Sequence, residues 1–422
     1  MSEGGSGSDV VIHPYERIVN EWPTRFHLRI DPDGSGLLLA NAAEAAWLSP
    51  VGVKMAEGVL QERPDEEIVI ELAEEFSGAP PSQIEADLNT MHELIESLSE
   101  PGDNYPITNL TDPEISHWER ALGAPLRADV DACDYDRFRE MALLLWDAGV
   151  PHISIQVGEE YDTSQLGSLV EAVEDIGMIC GVRSVVSWLT PEIIEACAIG
   201  GFDHLDLLFA GAEPQQHDAI AGEGDFAAFE EALLRCNGLG VAPVAEVPLV
   251  ASTFVELEEI VDALQMLDIT NMVGFAIACL DDDEAAKAAG ALPARGLPQV
   301  ATTFFEMAEG TDARFLWAPS KRYDSAKSLE RQIREGPRTS GDVTIRVRAD
   351  GSVWPARGAQ SAGKLLEDGW REIWACEEFN RYRELLKAPT RCPECPDLPI
   401  CRADCPKDPE GWSDDREDGE TT

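Results

Sequence analysis

Between Leu126 and Cys279 the chain alternates short apolar runs with amphipathic stretches, and this rhythm constrains the fold more than any other feature. Strands are predicted at Leu126–Val130, His152–Val157, Val182–Trp188, His204–Phe209, Ala242–Leu249 and Met272–Cys279. Helices are predicted between them at Arg137–Asp147, Ser164–Ile176, Pro191–Ala198, Phe226–Leu239 and Phe254–Leu267. Regular strand–helix alternation implies a parallel sheet with right-handed crossovers. Six units fall short of the eight that close a full barrel, so the expected fold class is α/β with a partial (β/α)6 barrel. In such sheets the working site lies at the carboxyl ends of the strands.

The flanks read differently. Residues 1–24 are polar at the start and are expected to be disordered. Residues 25–100 read as a winged-helix-like α+β domain. FHLRI and LLLAN flank a DPDGSG turn, and helical periodicity follows at Val51, Met55, Val59, at Ile68, Leu72, Phe76, and at Ile84, Leu88, Met91, Ile95. Residues 101–125 read as a linker and 126–320 as the barrel. In 321–411, Val343–Val347 and Ser352–Trp354 form a hairpin around an Asp-Gly turn, Trp370–Leu386 is helical, and CLDDDEAAKAAG upstream is a loop or loose helix. Residues 412–422 read as an acidic disordered tail.

Charge limits the partners. Asp and Glu total 80 against 32 Lys and Arg, a net −48, and the acid is spread along the chain, as in Glu66–Phe76. Dispersed acid with a normal 44% hydrophobic content matches the proteins of salt-accumulating halophiles. At molar salt the Debye length falls to about 3 Å and self-repulsion is screened. Nucleic acid is a poor partner for this field. No run reaches the roughly 18 apolar residues of a membrane span, and no signal peptide opens the sequence, so a cytoplasmic location is expected.

The strongest chemical motif is at the end. Cys392, Cys395, Cys401 and Cys405 stand as C-x2-C-x5-C-x3-C in RCPECPDLPICRADC. Four thiolates in so short a span can close a tetrahedral zinc site or hold an iron–sulfur cluster. The other cysteines, Cys133, Cys180, Cys197, Cys236, Cys279 and Cys376, stand singly. Those on apolar helix and strand faces read as core residues. No P-loop, H-E-x-x-H or G-x-S-x-G motif occurs. His217–Asp218 reads as packing or capping, and Gly222–Gly224 as a helix cap.

In this order of parts the chain resembles the radical SAM/SPASM family, preceded by a domain similar to the PqqD-type peptide-recognition domains of peptide maturases. The resemblance rests on LSPVGVKMAEGVLQERPDEEIVIELAEEF, APLRADVDA, HISIQVGEE, LDLLFAGAEPQQHDAIAGEGDF and VTIRVRADGSVWPARG, and above all on the four-cysteine spacing. It implies a radical SAM-type barrel and a SPASM-like cysteine-cluster domain at the C-terminus.

Three departures shape the functional expectation. Family enzymes hold a [4Fe–4S] cluster through C-x3-C-x2-C after the first strand, whereas this loop reads DVDACDYDRF and offers Cys133 alone. The family's Gly-Gly-Glu-Pro segment reads Val157, Gly158, Glu159, Glu160, leaving Gly158 and Glu159 as residual S-adenosylmethionine positions beside a Val expected to narrow the pocket. The SPASM hairpin, which ordinarily ends in Pro-Cys, ends Trp354, Pro355, Ala356. The resemblance therefore implies no catalytic residues, no S-adenosylmethionine, and one [4Fe–4S] cluster at the C-terminal cysteines, with zinc as the alternative. The expected role is an accessory or scaffold in peptide or cofactor maturation, binding a leader peptide, a small protein or an active radical SAM enzyme. An active maturase of a peptide or haem-type cofactor with divergent cluster ligation is the alternative. A module working through its N-terminal domain alone is a third.

Overall fold

The computed structural model describes residues 10–76, 78, 80–100, 122–308, 311, 313–341, 343–355, 361–385, 395, 397–401 and 405. The chain starts with four antiparallel strands in sequential order: β1 (Val11–Val19), β2 (Trp22–Ile30), β3 (Gly36–Ala40) and β4 (Glu44–Leu48). Three helices follow: α1 (Pro50–Leu60), α2 (Asp65–Glu75) and α3 (Pro81–Ser99). Ser49 caps α1 by accepting from the Gly52 amide, and prolines open α1 and α3, where a missing N–H is harmless. The helices bury Met55, Leu60, Ile68, Leu72, Leu88 and Ile95 against Phe26, Leu28 and Leu38 on one face of the sheet.

Residues 11–24 are therefore not disordered, as the sequence suggested, but form β1 and the start of β2. The hairpin was hidden because its two-residue turn is Asn20-Glu21, at φ +49° and +76°, where a type I′ turn ordinarily announces itself with glycine.

The barrel is built from β5 (Arg127–Asp131), α4 (Tyr135–Asp147), β6 (His152–Gln156), α5 (Leu166–Glu174), β7 (Ile179–Ser184), α6 (Pro191–Gly200), β8 (His204–Leu208), α7 (Pro214–Ala221), α8 (Asp225–Leu239), β9 (Ala242–Leu249), α9 (Ala251–Val255), α10 (Leu257–Met266) and β10 (Asn271–Cys279). The six strands run parallel in sequential order. Their outward residues, among them Val130, Ile155, Val182, Leu205 and Val247, pack on the helices in the main core. The third strand begins at Ile179, three residues earlier than the sequence suggested, and Val186–Trp188 is a 3-10 turn beyond its end.

The segment after β10 is more ordered than its composition suggests. It contains α11 (Glu284–Ala288), the two-residue β11 (Leu292–Pro293) and α12 (Leu297–Glu306). Then β12 (Arg314–Arg322) runs parallel to β10 as a further barrel strand, which sequence reasoning missed. Pro319 argues against a strand, and the register slips between Phe275 and Ile277, opposite that proline. An edge position and a bulge are where a strand tolerates proline.

Next come α13 (Leu329–Arg334), β13 (Thr344–Val347), β14 (Ser352–Trp354), β15 (Gly363–Lys364), α14 (Trp370–Ala375), α15 (Glu377–Leu385) and α16 (Leu398–Cys401). The expected hairpin is β13–β14, but it does not stand apart from the barrel. β13 pairs in parallel with β5, from Thr344 opposite Arg127 to Val347 opposite Val130, and extends the barrel sheet. The helix expected from Trp370 is broken at Cys376, whose φ and ψ are extended.

Alternation along two strands joins the N-terminal sheet to the barrel base. On β2, Phe26 and Leu28 face the helices while Arg25, His27 and Arg29 face the barrel. Arg25 pairs with Glu174 at 2.5 Å and Asp203 at 2.6 Å. His27 Nε2 lies 2.6 Å from the Gly177 carbonyl, and Arg29 donates to the carbonyls of Ala124 (2.8 Å) and Pro125 (3.1 Å). Leu37 and Leu39 on β3 pack with Leu122, Leu126, Ile179 and Val343. These partners precede the barrel strands, so the sheet covers the end of the barrel opposite the strand carboxyl ends.

Candidate functional site

At the carboxyl ends of the strands lies a cleft of about 540 Å³. The end of β5 supplies Asp131, Ala132 and Cys133, the end of β6 supplies Gln156 to Tyr161, and β7 supplies Arg183. Trp188, then Arg331, Arg334 and Glu335 around α13, and Arg346 and Ala349 around β13 complete it. Cys133, Gly158 and Glu159, singled out in the sequence, thus meet at one site. Val157 is buried in the core and also borders the cleft, while the space a side chain on Gly158 would enter is open. The pocket is thus not closed over that glycine.

The loop carrying Cys133 is short for a physical reason. β5 ends at Asp131, and Asp134 already caps α4 by accepting from the amides of Asp136 (3.2 Å) and Arg137 (3.4 Å). Only Ala132 and Cys133 separate strand from cap. Burial pushes the Cys133 thiol up to about 11, against the pull of Arg137. Cys180, Cys197 and Cys236 belong to the helix-side core, with burial holding the latter two thiols near 12. Cys279 packs among Ala286, Ala291 and Phe275. The donors at this mouth do not fit a three-thiolate cluster.

Beneath the cleft, the barrel interior is ionic. Arg127, Asp129, His152, Ser154, Gln156, Arg183, His204, Asp206 and Glu246 are all under 9% exposed. Arg127 donates to Asp129 at 2.8 Å and reaches Asp206 at 3.4 Å. His204 Nδ1 lies 2.7 Å from Asp206, and its Nε2 lies 2.9 Å from Nε2 of His152. Burial opposes ionisation of Asp206, but His204, Arg127 and Arg183 together hold its carboxyl below the usual range. Burial, reinforced by His204 and Arg127, drives His152 well below the usual imidazole range. A neutral His152 donating from Nε2 to His204, and His204 donating from Nδ1 to Asp206, satisfies both contacts. Arg183 Nε donates to Glu246 at 2.8 Å and Nη1 to the Arg334 carbonyl at 2.5 Å. Lys321 reaches the Gln332 carbonyl (3.0 Å) and Glu335 (3.1 Å), and burial outweighs Glu335 to bring it down to about 8.

Sequence reasoning missed this network although its signal was present. Fully covered parallel strands are normally apolar throughout, whereas R-A-D-V-D, H-I-S-I-Q and H-L-D-L place a polar residue at every second position.

His217 and Asp218 are structural. Buried His217 lies 2.8 Å from Asp225 and accepts from the Ala210 amide at 3.2 Å; Asp218 accepts from the amides of Gly224 and Phe226.

Of the four terminal cysteines, Cys392 lies outside the described residues, as does Ala356. Cys401 is buried, while Cys395 and Cys405 are half-buried. The backbone around them is tied to the far barrel edge: Trp317 Nε1 donates to the Ile400 carbonyl (3.1 Å), Arg338 to that of Cys401 (2.8 Å) and Arg322 to that of Cys405 (3.4 Å). Among the described residues no three His, Cys, Asp or Glu converge on a metal position.

A second groove, about 710 Å³, lies where the N-terminal sheet meets the barrel base, lined by Arg17, Ile18, Trp22, Arg25, Glu44 and Asp203 among others. Ile18 and Trp22 are 79% and 50% exposed. Among the described residues no helix is long and apolar enough to cross a membrane.

No protein-family model matches the sequence, and no curated protein is significantly similar to it. Solved structures do match. Streptococcus suis SuiB bound to S-adenosylmethionine is similar with a TM-score of 0.57 at 11% identity, over 93% of this chain and 94% of SuiB. SuiB bound to precursor peptide SuiA matches over the same shares with a TM-score of 0.54 at 11% identity. At such identity the likeness establishes architecture alone, a mixed α/β fold built on a parallel sheet and shared with SuiB.

Proposed function

We propose that this protein is a non-catalytic relative of the radical SAM/SPASM maturases, acting as an accessory or scaffold in the maturation of a peptide or cofactor. The observation that carries the reading is Cys133: one thiol, on a two-residue loop between β5 and the Asp134 cap, where the family's fold would seat a radical-generating cluster. The α+β N-terminal domain, read as PqqD-like, binds a leader peptide or small protein, and the barrel docks substrate or an active radical SAM homologue. The groove with exposed Ile18 and Trp22 supports that role, since exposed aromatic and aliphatic anchors beside charges are what a peptide docks on. The four terminal cysteines hold one [4Fe–4S] cluster or one zinc. Four soft donors suit either, and the group would brace the C-terminal segment against β12. The dispersed acidity is read as adaptation to high intracellular salt in the cytoplasm.

The alternative, an active maturase with divergent ligation, is favoured by a match to SuiB that spans nearly all of both chains and by the open space at Gly158. One experiment separates the two. Protein reconstituted anaerobically with iron and sulfide is given S-adenosylmethionine and a low-potential reductant. The scaffold reading expects no 5′-deoxyadenosine; its catalytic formation, abolished in Cys133→Ser, establishes the enzyme instead. Metal analysis of protein purified anaerobically without reconstitution, beside a Cys401→Ser variant, distinguishes iron with sulfide from zinc.

A further inference from the structure

The charge of the barrel-mouth cleft departs from that of the molecule. Across the chain acids outnumber bases 80 to 32, yet the cleft lining holds four arginines and four acids. Two of those acids are already occupied. Asp131 is paired with Arg346, and Glu335 is held by Lys321 at 3.1 Å and Lys327 at 2.8 Å, cations from outside the lining. Arg334 gives one N–H to the Ile220 carbonyl at 3.0 Å and has no carboxylate partner among the described residues. Arg331 is 68% exposed, and its one carboxylate contact among the described residues is with Glu335 at 3.7 Å. Arg183, buried beneath them and paired through Nε with Glu246, leaves Nη2 with no hydrogen-bond partner among the described residues. A buried guanidinium N–H left unpaired is costly, and guanidinium groups match planar two-oxygen acceptors.

Building on the scaffold reading, we propose that this cleft binds a carboxylate-bearing peptide, its acid group held by Arg331 and Arg334, while Arg346 and Arg183 are already paired with Asp131 and Glu246. Trp188 and Tyr161 give the aliphatic stem an aromatic wall. Phosphate is the competing ligand: guanidinium forks pair with it as well, and its charge of roughly −1.5 to −2 scales attraction to the arginines and repulsion from Glu159 and Glu160 together. The site would make the barrel mouth selective for acidic segments, a choice an otherwise acidic surface could not make.

The test is calorimetric titration of the full chain with four probes: N-acetyl-Ala-Glu-Ala-amide, its Gln counterpart, glutarate and inorganic phosphate. The Glu peptide is expected to bind about tenfold or more tightly than each of the others, and Arg331→Gln and Arg334→Gln each to remove that preference with unchanged thermal unfolding. Equal affinity for the Glu and Gln peptides, no binding of either, equal binding of glutarate or phosphate, or a preference that survives both substitutions overturns the proposal. These outcomes leave the non-catalytic reading standing, whereas 5′-deoxyadenosine formation would remove that reading and leave the carboxylate site intact.

Discussion

The His204 imidazole fills the space that a side chain on Gly181 would need. A Cβ on that glycine would lie 2.0 Å from His204 Cε1 and 2.2 Å from Nε2. Gly181 and His204 are paired across β7 and β8, so the neighbouring strand gives the ring its room. Gly181→Ala therefore displaces the ring and breaks its contacts with His152 and Asp206, leaving buried polar groups unpaired. The expected loss is about 3 kcal/mol or more, adding overpacking to lost hydrogen bonds. Gly158→Ala, facing open space, should leave the denaturant midpoint nearly unchanged. Equal midpoints for the two variants would show that the ring can move freely.

Stability should fall with acid across the imidazole range. Burial and the neighbouring Arg25 lower His27 to about 4, the Gly177 carbonyl only partly opposing them, and His152 is lowered well below its usual range. The unfolded chain binds protons on both near pH 6.5 while the folded chain does not. Their contribution is therefore complete above that pH and is lost as pH falls towards 4, with His27 alone accounting for roughly 3 kcal/mol. Urea unfolding at fixed high salt from pH 7.5 to 4.5 should show this loss, and His27→Gln should flatten the slope by about one proton. Because Glu174, Asp203 and Glu246 are raised by burial and take up protons on folding, the decisive comparison is between variants: identical pH slopes for the wild type and His27→Gln would contradict a buried neutral His27.

Much of the architecture was legible because periodicity reports burial. The six barrel strands, the DPDGSG turn between β2 and β3, the three N-terminal helices and the β13–β14 hairpin all follow from apolar spacing. Structure at sheet edges and charge in the interior leave a weaker trace. β1 and β12 carry prolines and lie at the edges of their sheets, where a strand needs neither a full apolar face nor every N–H. The ionic network leaves only an apolar–polar alternation in each strand, the pattern that a strand with one solvated face also shows. That β13 would add to β5 could not be read locally, because parallel pairing between residues more than two hundred positions apart leaves no short-range signal. The candidate site was legible only in part: Cys133, Gly158 and Glu159 were marked, whereas Arg183, Arg331, Arg334 and Arg346 come together only through the fold.

Arg25 is expected to be the main electrostatic tie between the N-terminal sheet and the barrel. Its side chain is 19% exposed and binds Glu174 and Asp203 together, and Asp203 also accepts from the Cys180 amide at 2.8 Å. Arg25→Ala leaves Asp203 largely buried without its cation, for a loss of about 2–4 kcal/mol, below the full penalty for a wholly buried pair. Arg235→Ala, which removes an equally short but 43% exposed pair with Glu195, should change stability by about 0–1 kcal/mol. Chemical denaturation of the two variants side by side measures the difference. Losses of similar size would mean that the sheet is held to the barrel by Leu37 and Leu39 packing rather than by Arg25.

The β1–β2 turn offers a stabilising change. Asn20 and Glu21 both lie at positive φ, +49° and +76°, and between Val19 and Trp22 they form a two-residue hairpin turn. Asn tolerates this conformation through its short polar side chain, but Glu gains nothing there and its Cβ crowds the backbone. Glu21→Gly converts the turn to Asn-Gly, the preferred pair. Relief of strain exceeds the entropy glycine adds to the unfolded chain, for a net gain of roughly 0.5–1 kcal/mol. The substitution also removes one negative charge from a chain of net −48, so part of any gain at low salt is electrostatic. Measured in molar salt, where that part is screened, a raised unfolding midpoint assigns the gain to the backbone; an unchanged or lowered midpoint would mean that the turn relaxes away from positive φ at Glu21.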